Sequence, residues 1–152
     1  MELKDEIHIA APRDTVYAAL NDPEILKACI PGCQELTKKS DTELEAKVTL
    51  KVGPIKANFG GNVTLDKTGA PDRFSLSGEG NGGVAGFAKG GADVELVPDG
   101  DSTILRYVAK ADVGGKIAML GSRLIDSTAK KLAGKFFEEF ANTVAPEAQS
   151  GD

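Results

Sequence analysis

Between Gly78 and Gly91 the chain reads GEGNGGVAGFAKGG, seven glycines in fourteen positions. The flanking segments, Phe74-Ser75-Leu76-Ser77 and Ala92-Asp93-Val94-Glu95-Leu96, alternate apolar and polar residues as strands do. A strand that faces a packed core normally carries branched or aromatic side chains. Glycine inside a strand marks a bulge, a bend or a close approach of something else to the backbone. A sheet lined here by glycine and alanine therefore predicts a curved surface wrapped around space.

Working outward, the rest of the chain supplies that sheet and something to close it. Leu3, Ile7 and Ile9 are in phase on a first strand. Pro12 opens a short helix with Val16, Tyr17, Ala19 and Leu20 on its apolar stripe. Asp22-Pro23 suits the start of a second, with Asp22 as N-cap and Ile25, Leu26 and Ile30 toward the core. A strand follows over Gln34 to Lys38. Leu44 to Val52 then alternates with Leu44, Ala46, Val48, Leu50 and Val52 inward, the pattern of an antiparallel sheet with one wet face. Ile55 to Asp66 continues it with Ile55, Ala57, Phe59, Gly61, Val63 and Leu65. Phe74, Leu76, Gly78, Gly80 and Gly82 share the next inward face. Ala88, Gly90, Ala92, Val94 and Leu96 form another, and Leu105, Tyr107, Ala109, Ala111 and Val113 the last. Pro98-Asp99-Gly100-Asp101 is a hairpin signal. After Gly114-Gly115 the period becomes helical: Ile117, Leu120, Leu124, Thr128, Leu132, Phe136 and Phe140 predict one helix of roughly 30 residues.

These elements predict an α+β fold: a strongly curved antiparallel sheet of about seven strands around a long C-terminal helix, with an apolar cavity between them. Residues 1–145 form a single domain, and 146–152 a polar tail. A chain of 152 residues buries roughly 70% of its unfolded surface and needs no disulfide or metal to fold. Its 18 glycines exceed the roughly 11 of average usage, and tryptophan is absent, which agrees with an underfilled interior.

The net charge of −5, with acids and bases interspersed and no basic block, argues against nucleic acid as a partner. Lys38-Lys39 and Lys130-Lys131 read as solvated faces. MELKDEIHI is charged and has no apolar signal region, and no apolar run is long enough to span a bilayer, so the expected location is cytoplasmic. Catalytic chemistry is thin. His8, the single histidine, falls in the polar phase of the first strand. Cys29 and Cys33 offer too few ligands for structural zinc and miss the C-x-x-C spacing. G-x-G-x-G-G at Gly78–Gly83 returns to strand, where a dinucleotide site requires a helix. The acids, Glu43, Glu45, Glu79, Glu95 and Asp112 among them, are assigned to polar strand faces. Arg123, Lys130, Lys131 and Lys135 on the last helix are offset by Asp126, Glu138 and Glu139. That stripe is expected to pack on the sheet, with Phe137 beside it as the residue to watch for membrane docking.

Several stretches occur in a telling order: PRDTVYAALNDP, then IPGC with Pro31-Gly32, VGPIKA around Gly53-Pro54, FGGNVTL, AKGGADVEL, Gly114-Gly115-Lys116 and Phe136-Phe137. In this the chain resembles the carbon monoxide dehydrogenase G-subunit family of the START-like (SRPBCC) helix-grip superfamily, over about residues 1–145. The resemblance implies a helix-grip fold with an apolar cavity. It implies a non-catalytic accessory role beside a molybdenum hydroxylase of the carbon monoxide dehydrogenase type, linking that enzyme to the membrane or carrying a lipophilic quinone. No catalytic motif or covalent cofactor is carried over. Some relatives have an added C-terminal membrane segment; this sequence ends at Asp152 without one, which favours a soluble carrier or one held peripherally on the inner face of the cytoplasmic membrane.

The expected ligand is a lipophilic small molecule, an isoprenoid quinone or other isoprenoid lipid. The expected lining is Leu50, Phe59, Leu76, Val84, Phe87, Tyr107, Ile117, Leu120 and Leu124, with the Tyr107 hydroxyl as polar handle. Gly80 and Gly90 are expected to keep the cavity open. Two other readings stand beside this one: a surface-acting assembly or membrane-docking protein without a ligand, and a START-like enzyme, a cyclase or hydrolase.

Overall fold

A computed structural model describes residues 1–145; the expected polar tail, 146–152, lies outside the described residues. The chain runs β1 (Glu2–Ile9), α1 (Arg13–Leu20), α2 (Pro23–Cys29), β2 (Cys33–Lys38), β3 (Glu43–Val52), β4 (Ile55–Asp66), β5 (Arg73–Asn81), β6 (Phe87–Asp99), β7 (Ser102–Gly114) and α3 (Ser122–Val144). The seven strands form one antiparallel sheet in the order β1-β7-β6-β5-β4-β3-β2. Hairpins join β2 through β7 in sequence, while α1 and α2 carry the chain from one sheet edge to the other.

Local chemistry explains the short helices. Pro12 takes the extended N-cap position of α1. The Asp22 carboxylate accepts from the Glu24 and Ile25 amides at the start of α2, with Pro23 in its first turn. These contacts satisfy donors that a helix start leaves unpaired.

The register stacks the inward residues into transverse rows. Leu65, Leu76, Ala92, Ala109 and Leu3 make one; Leu44, Val63, Gly78, Gly90 and Ala111 a second; Ala46, Gly61, Gly80, Ala88 and Val113 a third. Side-chain bulk thus shrinks toward the end of the sheet that holds the β3–β4 hairpin and the β5–β6 connection. The fully buried side chains gather at the opposite end: Ile9, Val16, Cys29, Leu96, Leu105 and Phe140. Phe136 stacks on Phe140 there, and Tyr17 of α1 meets Phe74 edge-on.

The predicted single helix from residue 116 onward is two pieces. Lys116–Leu120 is a 3-10 turn, and α3 begins only at Ser122. Gly121 between them has φ 93° and ψ 152°, a backbone region open essentially to glycine alone, so the α-helix cannot run through it. A second 3-10 turn, Gly83–Ala85, joins β5 to β6. The acid assignment also needs correction. Asp5 shares the inward phase of β1 with Leu3 and Ile7, opposite Tyr107 of β7.

Candidate ligand-binding grip

α3 lies against α2, β1 and β3 but comes close to the middle strands at few points or none. The helix therefore bridges the curved sheet near its edges. Leu44, Val63, Leu65, Leu76 and Ala92 remain only half-buried beneath it. Apolar side chains on the helix-facing side of the sheet that keep this much exposure leave an uncovered apolar concavity, the hollow, rather than a packed layer.

Of the nine expected lining residues, Leu50, Phe59, Leu76 and Tyr107 lie half-buried on the inward rows. Leu120 and Leu124 sit over the β3–β4 hairpin: a Cβ added at Gly53 would come within 2.8 Å of Leu124 Cδ2 and 3.9 Å of Leu120 Cδ1. Ile117 is 6% exposed and packs by Gly86, so it plugs the end of the sheet where the two 3-10 turns meet. Val84 and Phe87 do not line the hollow. Val84 rides outward on its turn, 86% exposed, because the glycines around it bend the chain away. Phe87 is 50% exposed and in the outward phase, its ring lying over Gly114, since strand alternation places Ala88 inward.

The glycines divide as well. A Cβ at Gly80 would find nothing nearer than the Gly60 carbonyl oxygen at 4.0 Å. A Cβ at Gly90 would collide with the Lys110 carbonyl and lie 2.8 Å from Ala111 Cα. Gly80 leaves room in the hollow, whereas Gly90 lets β6 and β7 approach where the sheet coils. At Gly82 the absent side chain makes space for the Phe59 ring.

Tyr107 marks the boundary between hollow and core. Its ring stacks on Phe137 with centroids 5.3 Å apart, and Phe137 meets Phe136 edge-on at 5.0 Å. Phe137 is thus committed to the interior. Burial, and then the charge of Asp5, push the Tyr107 hydroxyl above the ordinary phenol range, so it remains a neutral donor at physiological pH. Burial likewise raises both thiols: Cys29 beside the Thr143 hydroxyl, and Cys33, where Lys27 works in the opposite direction. His8 is exposed, 3.7 Å from Asp99 on the outer face. Among the described residues no three His, Cys, Asp or Glu side chains gather as a metal site would need. A groove of about 740 Å³ runs along β1, β7, β6 and β5, lined by the row Asp5, Tyr107, Val94 and Phe74 together with neighbours in the opposite phase such as Glu6, Arg106, Glu95 and Arg73. The ion pairs of Arg106 with Glu6 and Glu95 lie along it.

At the glycine-rich end the apolar side chains turn outward. Met119, 86% exposed, joins Val84 and Phe87 on the adjoining connections. Lys51 and Lys56 face one another on the hairpin beside them, and Lys116 and Arg123 flank Met119.

The sequence profile of the carbon monoxide dehydrogenase G subunit (CoxG) matches residues 6–145. The chain belongs to that family. No curated protein matches it. Among solved structures, a conserved protein from Geobacillus kaustophilus superposes with a TM-score of 0.89 at 27% identity, each chain covered to 96%. A START superfamily protein from Mycobacterium smegmatis gives 0.69 at 16% identity, covering 94% of this chain and 96% of that one. The aromatase/cyclase Zhui from a Streptomyces species gives 0.69 at 9%, covering 95% and 93%. The chain thus has a START-like helix-grip fold, α+β, as the sequence predicts. The distant likenesses establish fold alone. No helix of the described residues is long and apolar enough to cross a membrane.

Proposed function

We propose that this CoxG protein is a non-catalytic accessory of a molybdenum hydroxylase of the carbon monoxide dehydrogenase type, and that its grip holds a lipophilic ligand, an isoprenoid quinone in the first instance. The observation that carries this reading is the hollow itself: half-buried apolar side chains beneath a helix that bridges the sheet. Leaving an apolar cavity empty costs on the order of 24 cal/mol per Å³, so a hollow of this kind is best explained by an occupant. Each Å² of apolar ligand surface removed from water contributes about 25 cal/mol, and a ring with an isoprenoid tail has enough area for micromolar binding after association costs. Such binding needs no acid, base or nucleophile from the protein.

The exposed Val84, Phe87 and Met119, with Lys51, Lys56, Lys116 and Arg123 around them, favour the second half of the role, contact with a membrane surface from which the ligand is taken.

The direct test is a titration of the protein with a menaquinone of short isoprenoid tail, beside Leu76→Trp. Saturable one-to-one binding, lost when the indole fills the hollow while the circular dichroism spectrum is kept, supports the reading. Equal binding to both forms would place the ligand elsewhere.

A further inference from the structure

The inward face of β1 and β3–β7 is apolar or side-chain-free except in two places. Thr103 is one, but it is fully buried and its hydroxyl donates to the Ala11 carbonyl at 2.7 Å. The other is the pair Asp5–Tyr107, directly opposite one another on β1 and β7, with Val94 of β6 next in the row. The Tyr107 hydroxyl bonds no protein group among the described residues and is not sealed from the surroundings.

Asp5 is likewise uncommitted. One carboxylate oxygen accepts from the Glu6 amide at 2.8 Å. On the outer face Arg106 holds Glu6 at 3.0 Å and Lys110 lies 3.9 Å from Glu2, while Lys4, next to Asp5 in the chain, is in the opposite phase of β1. No cation pairs with Asp5 among the described residues, so the carboxylate brings an uncompensated negative charge to an otherwise apolar surface. Its influence on Tyr107 agrees with that placement.

An ionised carboxylate only accepts hydrogen bonds, and a phenol can donate or accept. We infer that Asp5 and Tyr107 select the ligand's head group: they take an uncharged lipophilic molecule, through a carbonyl that accepts from Tyr107 or a hydroxyl that donates to Asp5, and reject one with a carboxylate or phosphate head. The inference rests on the ligand-binding reading of the grip and specifies its ligand class. Tyr107 contributes attraction. Asp5 accepts from a ligand hydroxyl and repels an anion, which is discrimination by an unfavourable contact with the wrong ligand.

The test compares two ligands with the same tail, geranylgeraniol and geranylgeranoic acid, by displacement of the uncharged fluorophore 1-aminoanthracene near neutral pH. The wild-type chain is expected to prefer the alcohol by about tenfold, the factor that corresponds to about 1.4 kcal/mol. Asp5→Asn is nearly isosteric and lies on an exposed edge position. It is expected to bring the acid to within about threefold of the alcohol through a gain in the acid's own affinity. Tyr107→Phe is expected to weaken the alcohol and leave the acid rejected, because the charge of Asp5 remains. Equal affinities in the wild type, or an acid affinity unmoved by Asp5→Asn, overturn the selection while leaving the ligand-binding reading intact. Failure of both ligands and the fluorophore to bind overturns the two together.

Discussion

Gly80 and Gly90 point into the same curved face, yet they do different things. A side chain at Gly80 has open space ahead of it, while one at Gly90 meets the β7 backbone at once. Gly80→Leu is therefore expected to push a branched side chain into the hollow and weaken ligand binding at least about tenfold, with little loss of stability. Gly90→Leu is expected to destabilise by about 3 kcal/mol or more through backbone collision, whatever the ligand. Thermal melts beside binding titrations separate the two. A Gly80 variant that melts as low as the Gly90 variant would mean both glycines serve the bend of the sheet. The thiols give a second residue-scale expectation. Burial raises the pKa of Cys29 and Cys33, so the folded protein holds these protons more tightly than the unfolded chain. Their contribution to stability is complete below the ordinary thiol range and is lost as the pH climbs through and above it. Chemical denaturation of the wild type from neutral to strongly alkaline pH should show a fall in stability that is smaller in a Cys29→Ala, Cys33→Ala double variant.

At the scale of elements, alternation makes the strands legible. Leu44–Val52 and Ile55–Asp66 carry one inward and one outward residue in turn, and the sheet that results has the same phase. Asp22-Pro23 announces a capped helix because its cap depends on adjacent residues alone. The end of the last helix is legible for the same reason, but its beginning is not. Periodicity of apolar residues from Ile117 onward passes through Gly121, and only the backbone angle reveals that the helix stops there. In the grip, alternation identifies Leu50, Phe59, Leu76 and Tyr107. It fails at Val84 and Phe87, where a 3-10 turn shifts the phase. Asp5 is hidden from such a reading because a polar residue in an apolar row weakens the very pattern used to find the row. Gly121→Ala is expected to cost about 1–3 kcal/mol, since any Cβ strains that conformation. Phe140→Ala, at the fully buried end of α3, is expected to cost about 3–5 kcal/mol. Denaturant midpoints measure both. A Gly121 variant as stable as wild type would show that the segment before α3 accepts a continuous helix.

The whole molecule is polarised. Packing is dense where Ile9, Leu96, Leu105 and Phe140 meet and sparse toward the glycine-rich end, where the sheet meets the two 3-10 turns. The exposed apolar residues lie at that sparse end, although the chain as a whole is acidic. Replacing Val84 and Met119 together by Asp is expected to reduce sedimentation with vesicles containing phosphatidylglycerol about tenfold or more, with an unchanged melting temperature. Equal sedimentation of the two proteins would remove this end from membrane contact. The central claim concerns the hollow, and native mass spectrometry of the freshly purified protein, with organic extraction of whatever it carries, tests it most directly. A bound species of isoprenoid mass, recovered as an uncharged lipid and absent from Gly80→Leu, is the predicted result. An unliganded mass that stays unchanged after incubation with menaquinone and with geranylgeraniol would contradict the account.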